Sequence, residues 1–276
     1  MRKQGGERIV WTHAQSPRNR LQGRLRPAGE GKRPAQAAVR QREVRVQVDG
    51  APKGRDRLLL LAAQRIQDLK GDGRFKYVGI YKDYGNSAGQ EFEHPTSQLT
   101  ATTFVPRRVL YELRAAREYF QSKERCVFCD IISQEMRQDL RVIELRGDFI
   151  ALCPYAPRVP YESWIMPRTH EAAFERFGLN RPGTMRDLGA LLRRTLQRIR
   201  TITEDFHLVL HTSPNSLHRS VDLGYWKTID EDYHWHIEIM PILAKKAKSY
   251  TFKEVYYSPL SSETAVKALR DARIEP

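Results

Sequence analysis

Five side chains of types that bind metal ions and phosphate occur in the second half of the chain. Cys126 and Cys129 are spaced C-x-x-C, so two thiolates can reach one tetrahedral ion, which neutral imidazoles would complete. His170 follows a short apolar segment, at an element boundary where a ligand is easily directed. Together with His234 and His236, these residues predict a metal-and-phosphate site.

The segment around His234 has the alternation of a β-strand. On a strand, His234, His236 and Glu238 would project from one face while the alternating apolar residues Trp235, Ile237 and Ile239 face the core. Three polar groups on one face are costly to bury without a ligand or metal. The alternative is a half-exposed strand whose polar residues face water, and a neighbouring C-x-x-C pair makes the functional interpretation the preferred one.

The elements that must position these residues predict an α+β fold with antiparallel strands. A weak internal repeat supports two similar modules, because His94-x-Thr96-x-Gln98 and His234-x-His236-x-Glu238 are each followed by an extended apolar segment that reaches a proline. We therefore divide the chain into residues 1–55, a poorly defined leader, and two modules, 56–123 and 124–276.

Composition and charge narrow the class of protein. The net charge is +14, and residues 1–55 hold 14 Lys and Arg against 4 Asp and Glu. A nucleic-acid-binding arm is the less favoured interpretation of this leader, since it has no interleaved aromatic residues.

No apolar run reaches the ~20 residues of a membrane span, and no signal peptide is evident. With three cysteines and a C-x-x-C pair, we expect a cytoplasmic protein without disulfides.

Several motifs in order carry a family resemblance. These are Gly85-x-x-Ala88-Gly89, His94-Pro95-Thr96-Ser97-Gln98, Cys126-Val127-Phe128-Cys129, Pro154-Tyr155-Ala156, Pro160 to His170 and Tyr233 to Ile239. Together, over residues 56–272, they resemble the galactose-1-phosphate uridylyltransferase branch of the histidine-triad superfamily.

The resemblance implies two histidine-triad-like modules, a homodimer, and ping-pong transfer of a nucleoside monophosphate between a sugar nucleotide and a sugar phosphate. In the family pattern His-Pro-His-x-Gln, the second histidine is the nucleophile and the glutamine donates to phosphate oxygens. Here Gln98 matches, and Thr96 holds the nucleophile position. The first module also lacks the usual C-x-x-C pair, so we predict that it is truncated or degenerate.

The same resemblance assigns other residues. It places four residues near the substrate: Asp83, Gly85, Gly89 and Glu91. It offers two metal assignments. The preferred one is a zinc site of Cys126, Cys129, His170 and His234, with His236 as the nucleophile of the second module. The alternative is a structural metal site of Glu112, His211, His234 and His236.

The leading functional prediction is therefore a uridylyltransferase-like nucleotidyltransferase with zinc. Thr96 brings its activity into question, because a threonine hydroxyl needs an adjacent base to attack phosphorus. One alternative is a nucleotide hydrolase or phosphorylase in which His236 is the nucleophile. Another is a non-catalytic nucleotide-binding module. A nucleic-acid-associated protein that uses the basic leader is the remaining rival.

Overall fold

The computed structural model describes residues 42–47, 55 and 56 as backbone only, and residues 57–91, 96–217, 227–243, 256 and 258–275 in full. The predicted leader lies outside the described residues, apart from one strand at 42–47 and residue 55. His94 and Pro95 of the predicted phosphate motif also lie outside them.

Among the described residues, eight strands form one antiparallel sheet in the order β1-β3-β2-β7-β8-β6-β5-β4. The strands are β1 (Arg42–Gln47), β2 (Tyr77–Tyr84), β3 (Thr96–Thr102), β4 (Val142–Arg146), β5 (Phe149–Leu152), β6 (Ser163–Pro167), β7 (Phe206–His211) and β8 (His236–Pro241). Every pair of neighbours is antiparallel. The predicted α+β class is confirmed.

Seven α-helices in the described part of the chain accompany the sheet. They are α1 (Arg55–Lys70), α2 (Arg107–Lys123), α3 (Val127–Gln138), α4 (Phe174–Asn180), α5 (Met185–Arg200), α6 (Ile229–Asp232) and α7 (Ser262–Asp271). Helix α7 begins at a serine N-cap, where the Ser261 hydroxyl accepts from the backbone N–H of Thr264. None of the described helices has the length and apolar character that crossing a bilayer requires.

The two faces of the sheet carry different layers because side chains alternate along each strand. On one face, helices α1, α4, α5 and α7 pack on apolar residues such as Leu99, Leu210 and Ile237 to form the main core. On the other face, α2, α3 and α6 contribute to two smaller clusters around Phe128 and Tyr233. The second face holds the candidate ligands.

The sheet runs without interruption across the predicted module boundary at 123/124. Strand β2 of the first predicted module pairs with β7 of the second, with Ile80 opposite Leu210. The division into 56–123 and 124–276 stays a prediction, and its two parts share one sheet.

Candidate metal centres and the sheet face beside them

The first ligand cluster joins a helix start, a turn and the approach to a strand. Cys126 is the N-cap of α3 and Cys129 lies in its first turn, so helical geometry directs both sulfurs to one side. Ligand atoms of Cys126, Cys129, His170 and His234 all lie within 4.8 Å of one another. We call this set the thiolate cluster.

Distances in the thiolate cluster suit a tetrahedral ion. The Cys129 Sγ lies 3.3 Å from Nδ1 of His170 and 3.6 Å from Nδ1 of His234. A zinc ion with Zn–S bonds of ~2.3 Å and Zn–N bonds of ~2.1 Å separates its ligand atoms by roughly 3.6 Å. The donor set of two sulfurs and two imidazole nitrogens is also one that zinc prefers.

The backbone fixes the tautomers of the two imidazoles. Nε2 of His170 donates to the carbonyl of Asp230, and Nε2 of His234 donates to that of Pro167, each at 2.9 Å. Each Nδ1 therefore presents its lone pair toward the sulfurs, which is the orientation that a metal ligand needs. Contact with the Cys129 thiol, followed by contacts with both histidines, lowers the pKa of Cys126, which favours a thiolate there.

A second ligand cluster lies between α2 and the ends of β7 and β8. The ligand atoms of Glu112, His211 and His236 lie within 4.8 Å of one another. The two imidazoles stack with centroids 4.7 Å apart and planes at 6°. Nδ1 of His236 donates to the backbone carbonyl of His234 at 3.0 Å, so Nε2 of His236 faces Oε1 of Glu112 at 3.5 Å. We call this set the carboxylate cluster.

Two atoms of the carboxylate cluster lack hydrogen bonds within the described part of the chain. These are Oε1 of Glu112 and Nδ1 of His211, both fully buried. Nδ1 of His211 lies 3.1 Å from Oε2 of Glu112, without the alignment of a hydrogen bond. A buried polar atom without a partner is costly, and a divalent ion between these atoms would remove that cost. The carboxylate cluster therefore fits a metal ion.

Glu238 contacts the carboxylate cluster through His211. Its Oε2 lies 3.1 Å from Nε2 of His211 and 2.7 Å from Nη2 of Arg158. Burial alone would raise the pKa of Glu238, but contacts with His211, then His236 and Arg158, lower it well below its usual range. Burial lowers the pKa of His211, because it disfavours the charged imidazolium. The nearby carboxylates of Glu112 and Glu238 have the larger, opposite effect and raise that pKa to about 10. Without a metal, this group is a buried Glu–His⁺–Glu arrangement.

The preferred zinc set lies together as the thiolate cluster, and the alternative set lies together as the carboxylate cluster, except that His234 belongs to the thiolate cluster alone. Both groups of side chains come together, and each histidine of the pair belongs to one of them. His234 lies with the cysteines and His236 lies with Glu112. The strand itself begins only at His236. Both imidazoles nevertheless face the Phe128 ring, at 6.2 and 5.0 Å, while Trp235 between them packs in the main core on the other side. The half-exposed alternative is wrong, because His236 is 1% exposed and Glu238 is 6% exposed.

The same face carries polar residues on the neighbouring strands. Gln98, Tyr81, Val209, Glu238 and Trp164 are successive cross-strand partners through β3, β2, β7, β8 and β6. The Tyr81 hydroxyl donates to Oε1 of Gln98 at 2.6 Å. The predicted phosphate-binding glutamine is thus held on the face that also holds the carboxylate cluster.

Thr96 and His236 lie far apart on this face. Thr96 is two residues from Gln98 along β3, and His236 is two residues from Glu238 in the opposite direction. Three strand spacings of ~4.8 Å and four residues of ~3.3 Å put their Cα atoms roughly 20 Å apart. The two predicted nucleophile positions therefore cannot act on one phosphorus atom.

The structure gives local partners to the predicted substrate residues. Nδ1 of His207 lies 2.6 Å from Oδ1 of Asp83, its cross-strand neighbour. Gly85 has φ +90°, and a Cβ there would lie 1.8 Å from Oδ1 of Asp205. Gly89 also has positive φ, +79°, but open space beside it. Glu91 is exposed at the end of the described turn. Their role in binding substrate stays a prediction.

His207 was not among the residues that the sequence patterns singled out. Its partner, Asp83, is 124 positions away, and only the register of β2 against β7 brings them together. Arg158 was missed for a similar reason, since it reaches Glu238 from a different segment. An alternating pattern in β7 could have shown that His207 and His211 share a face, but not what lies opposite.

The fold is an antiparallel sheet that carries two clusters of potential metal ligands on one face, and known proteins can be compared with it. No protein-family model matches the chain. It is 28% identical over 225 residues to ADP-glucose phosphorylase from Arabidopsis thaliana, which covers 81% of this chain and 60% of that protein. Galactose-1-phosphate uridylyltransferase from Thermotoga maritima is 22% identical over 226 residues, covering 80% of this chain and 68% of that protein.

Solved structures agree with these relatives. The crystal structure of the Arabidopsis ADP-glucose phosphorylase with bound ADP-glucose matches with a TM-score of 0.69 at 25% identity, over 80% of this chain and 66% of that one. A uridylyltransferase structure matches with a TM-score of 0.71 at 22% identity, over 84% and 75%, and shows the shared fold. The resemblance predicted from the motifs is confirmed: the chain's relatives are galactose-1-phosphate uridylyltransferases and an ADP-glucose phosphorylase, and these are enzymes. The chain spans about 60% of the length of the Arabidopsis relative.

Proposed function

We propose that this protein transfers a nucleoside monophosphate from a sugar nucleotide to a phosphate or sugar-phosphate acceptor. The observation that carries the proposal is the polar sheet face itself, where Gln98 and Tyr81 are hydrogen-bonded to each other beside a buried two-cluster framework. The names of the relatives supply the substrate class, since they act on ADP-glucose and galactose 1-phosphate.

In this proposal the two clusters are structural. Zinc held by Cys126, Cys129, His170 and His234 would tie the start of α3 to the approach to β8. A second divalent ion, held by Glu112, His211 and His236, would tie α2 to β7 and β8. Bound metal would supply cross-linking and charge neutralisation within the fold.

The buried position of His236 argues against it as the nucleophile. Its ring packs between Phe128, at 5.0 Å, and His211, at 4.7 Å. With Nδ1 donating to a carbonyl, its other nitrogen faces Glu112, which repels an incoming phosphate. We assign His236 to the metal framework.

His207 has the geometry that nucleophilic attack requires. Its side chain is 40% exposed, on the face that carries Gln98, and Asp83 holds its Nδ1. Nδ1–H donating to that carboxylate leaves the Nε2 lone pair for phosphorus, as in other carboxylate-oriented imidazoles. We therefore propose His207, two strands from Thr96, as the nucleophile in place of the threonine.

The proposed reaction has two displacements. Nε2 of His207 attacks the α-phosphorus, the bond from phosphorus to the bridging oxygen breaks, and the sugar 1-phosphate leaves with that electron pair. An oxygen of the acceptor phosphate then attacks the same phosphorus, and the N–P bond breaks to return its pair to His207. Gln98 would donate to the phosphate oxygens in both steps.

Labelling of the protein tests this assignment. Full-length protein is incubated with UDP-glucose or ADP-glucose radiolabelled in the α-phosphate, and acid-stable and acid-labile label are separated. We expect an acid-labile label that His207→Gln removes and Thr96→Ala retains. Label lost in Thr96→Ala but kept in His207→Gln would return the role to position 96. Label that survives in both variants would overturn both assignments.

A non-catalytic sugar-nucleotide-binding protein is the second candidate function. The threonine at the motif's nucleophile position favours it. Saturable binding of ADP-glucose or UDP-glucose in calorimetry, with neither label nor product release with phosphate or galactose 1-phosphate, would identify this function. Absence of both binding and turnover would refute the proposed function.

Assembly and location complete the proposal. The resemblance implies a homodimer, which sedimentation velocity of the full chain tests directly. Thiols that serve as metal ligands are best maintained in a reducing compartment, so we propose the cytoplasm, which fractionation of the native cell tests.

A further inference from the structure

A cavity of about 470 Å³ lies on the face of the sheet opposite the two clusters. Helices α1 and α5 form its walls, and strands β2, β3, β7 and β8 form its floor. Its interior is almost wholly apolar, with side chains such as Leu59, Ile80, Leu196, Leu208 and Ile237. A cavity of this size falls in the range that holds small organic ligands, roughly 300–1,000 Å³.

Four cationic residues contribute to the lining of this apolar cavity. They are Arg65, Lys82, Arg193 and Arg200, and no Asp or Glu is among the described residues that line it. Two of these side chains, Arg65 and Arg200, are 38% and 49% exposed, so they lie at the open mouth. Each pairs with an exposed carboxylate on its own chain segment, an interaction worth little in solvent.

Lys82 and Arg200 converge on one aromatic ring at this mouth. Nζ of Lys82 lies 5.7 Å from the centre of the Tyr84 ring, and Cζ of Arg200 lies 5.8 Å from it. Nζ of Lys82 also donates to the backbone carbonyl of Thr96 at 2.8 Å, a neutral acceptor. Burial lowers the pKa of Lys82 to about 8. An anion between these two cations would raise this pKa and so stabilise the charged ammonium.

The charge of the mouth restricts the occupant. Residues 1–55 carry 14 Lys and Arg against 4 Asp and Glu, and residues 244–255 carry 4 Lys against 1 Glu. Neither segment complements a cationic mouth. A sugar nucleotide has the anionic charge but would place many hydroxyl groups against an apolar wall, where they find no partners. A ligand with one anionic head and an apolar tail matches both the cationic mouth and the apolar interior of the cavity.

We propose that this cavity binds a free single-chain fatty acid, with the tail inside and the carboxylate at Lys82 and Arg200. Burial of the apolar tail against the apolar walls favours binding. Charge-assisted hydrogen bonds at the mouth select the carboxylate head. The cavity lies on the face of the sheet opposite the proposed nucleotide site.

Calorimetric titration of delipidated full-length protein with two amphiphiles tests the site. The probes are myristate and tetradecyltrimethylammonium, whose tails have equal length and whose heads carry opposite charge. We expect one saturable site per chain for myristate and at least about tenfold weaker binding of the cation, because the mouth is positive. Equal affinities, or no saturable binding of myristate, would overturn the proposal.

Variants on the two faces locate the binding. Leu196→Trp fills the cavity and should abolish myristate binding, whereas Leu145→Trp, on the exposed side of β4, should leave it unchanged. Lys82→Gln should weaken it by about tenfold and reduce the preference for the anion. If Leu196→Trp fails to melt cooperatively, Lys82→Gln decides, and unchanged affinity there refutes the site.

A vesicle experiment separates a free fatty acid from an acyl chain in a membrane. The full chain is sedimented with phosphatidylglycerol vesicles in parallel with the myristate titration. We expect myristate binding without cosedimentation. Cosedimentation without myristate binding would replace this proposal with a membrane contact.

Discussion

His234 and His236 are two residues apart, yet their imidazoles enter separate ligand clusters. His234 directs Nδ1 to the sulfur of Cys129, and His236 donates its own Nδ1–H to the backbone carbonyl of His234. One short segment therefore connects both candidate metal centres. A shift of the backbone carbonyl of His234 would therefore move the His236 imidazole through that hydrogen bond.

Zinc should occupy the thiolate cluster. We expect protein purified without chelator to contain zinc there, and Cys129→Ser to lower the content by about one ion per chain. Mass spectrometry of the metal after gel filtration measures this. Cys153→Ala is the matched control, since Cys153 is buried in the main core, and it should keep the zinc. Equal metal content in all three proteins would refute the site.

Glu112 should be essential to the carboxylate cluster. Glu112→Gln removes the charge that faces buried His211, and we expect a loss of ~2 kcal/mol or more in the free energy of unfolding. Glu118→Gln on the same helix changes an exposed pair with Arg114 and should cost less than ~0.5 kcal/mol. Urea denaturation measures both. Metal content that falls only in Glu112→Gln would add direct support for an ion, and equal stabilities would contradict the buried arrangement.

Two glycines in one turn provide a matched test of backbone geometry. Gly89→Ala should cost ~1 kcal/mol, because φ is positive but the space is open. Gly85→Ala should cost clearly more, since its Cβ would collide with Asp205. Thermal and urea unfolding of both variants measure the difference. Similar losses would show that Asp205 moves away at little cost.

The lowered pKa of Lys82 predicts a pH-dependent stability. Burial holds its folded-state pKa near 8, below the ordinary value of 10.5. Between these values the unfolded chain binds more protons than the folded one, so stability rises with pH. The unfolding free energy of the wild type should therefore rise relative to Lys82→Met from pH 8 to 10.5, in delipidated protein. A constant difference over this range would show that Lys82 is not desolvated.

Local patterns predicted the ligand types, and the family resemblance supplied their grouping into two sets. The C-x-x-C spacing was sufficient to bring Cys126 and Cys129 together, because residues three apart lie on one side of a helical turn. The assignment of His236 depended on where β8 begins. Pairing of His211 with His236 sets that start, and no local pattern of residues encodes it.

The family resemblance predicted the α+β fold because several motifs appear in the right order along the chain. The resemblance indicated antiparallel strands but did not indicate which strands pair with β2. One of these partners, β7, lies far along the sequence. Asp83 and His207 show the consequence, since neither residue has a local signal for the other. The apolar cavity was also beyond local reasoning, because α1, α5 and four strands contribute to it.

The pairing of β2 with β7 has a consequence for synthesis of the chain. Ile80 in β2 pairs with Leu210 in β7, which is synthesised 130 residues later, so β2 lacks this neighbour until then. During translation, the edge of β2 that β7 later covers therefore stays available to other chains until most of the protein has left the ribosome. We expect the nascent protein to depend on chaperones more than its length alone would suggest.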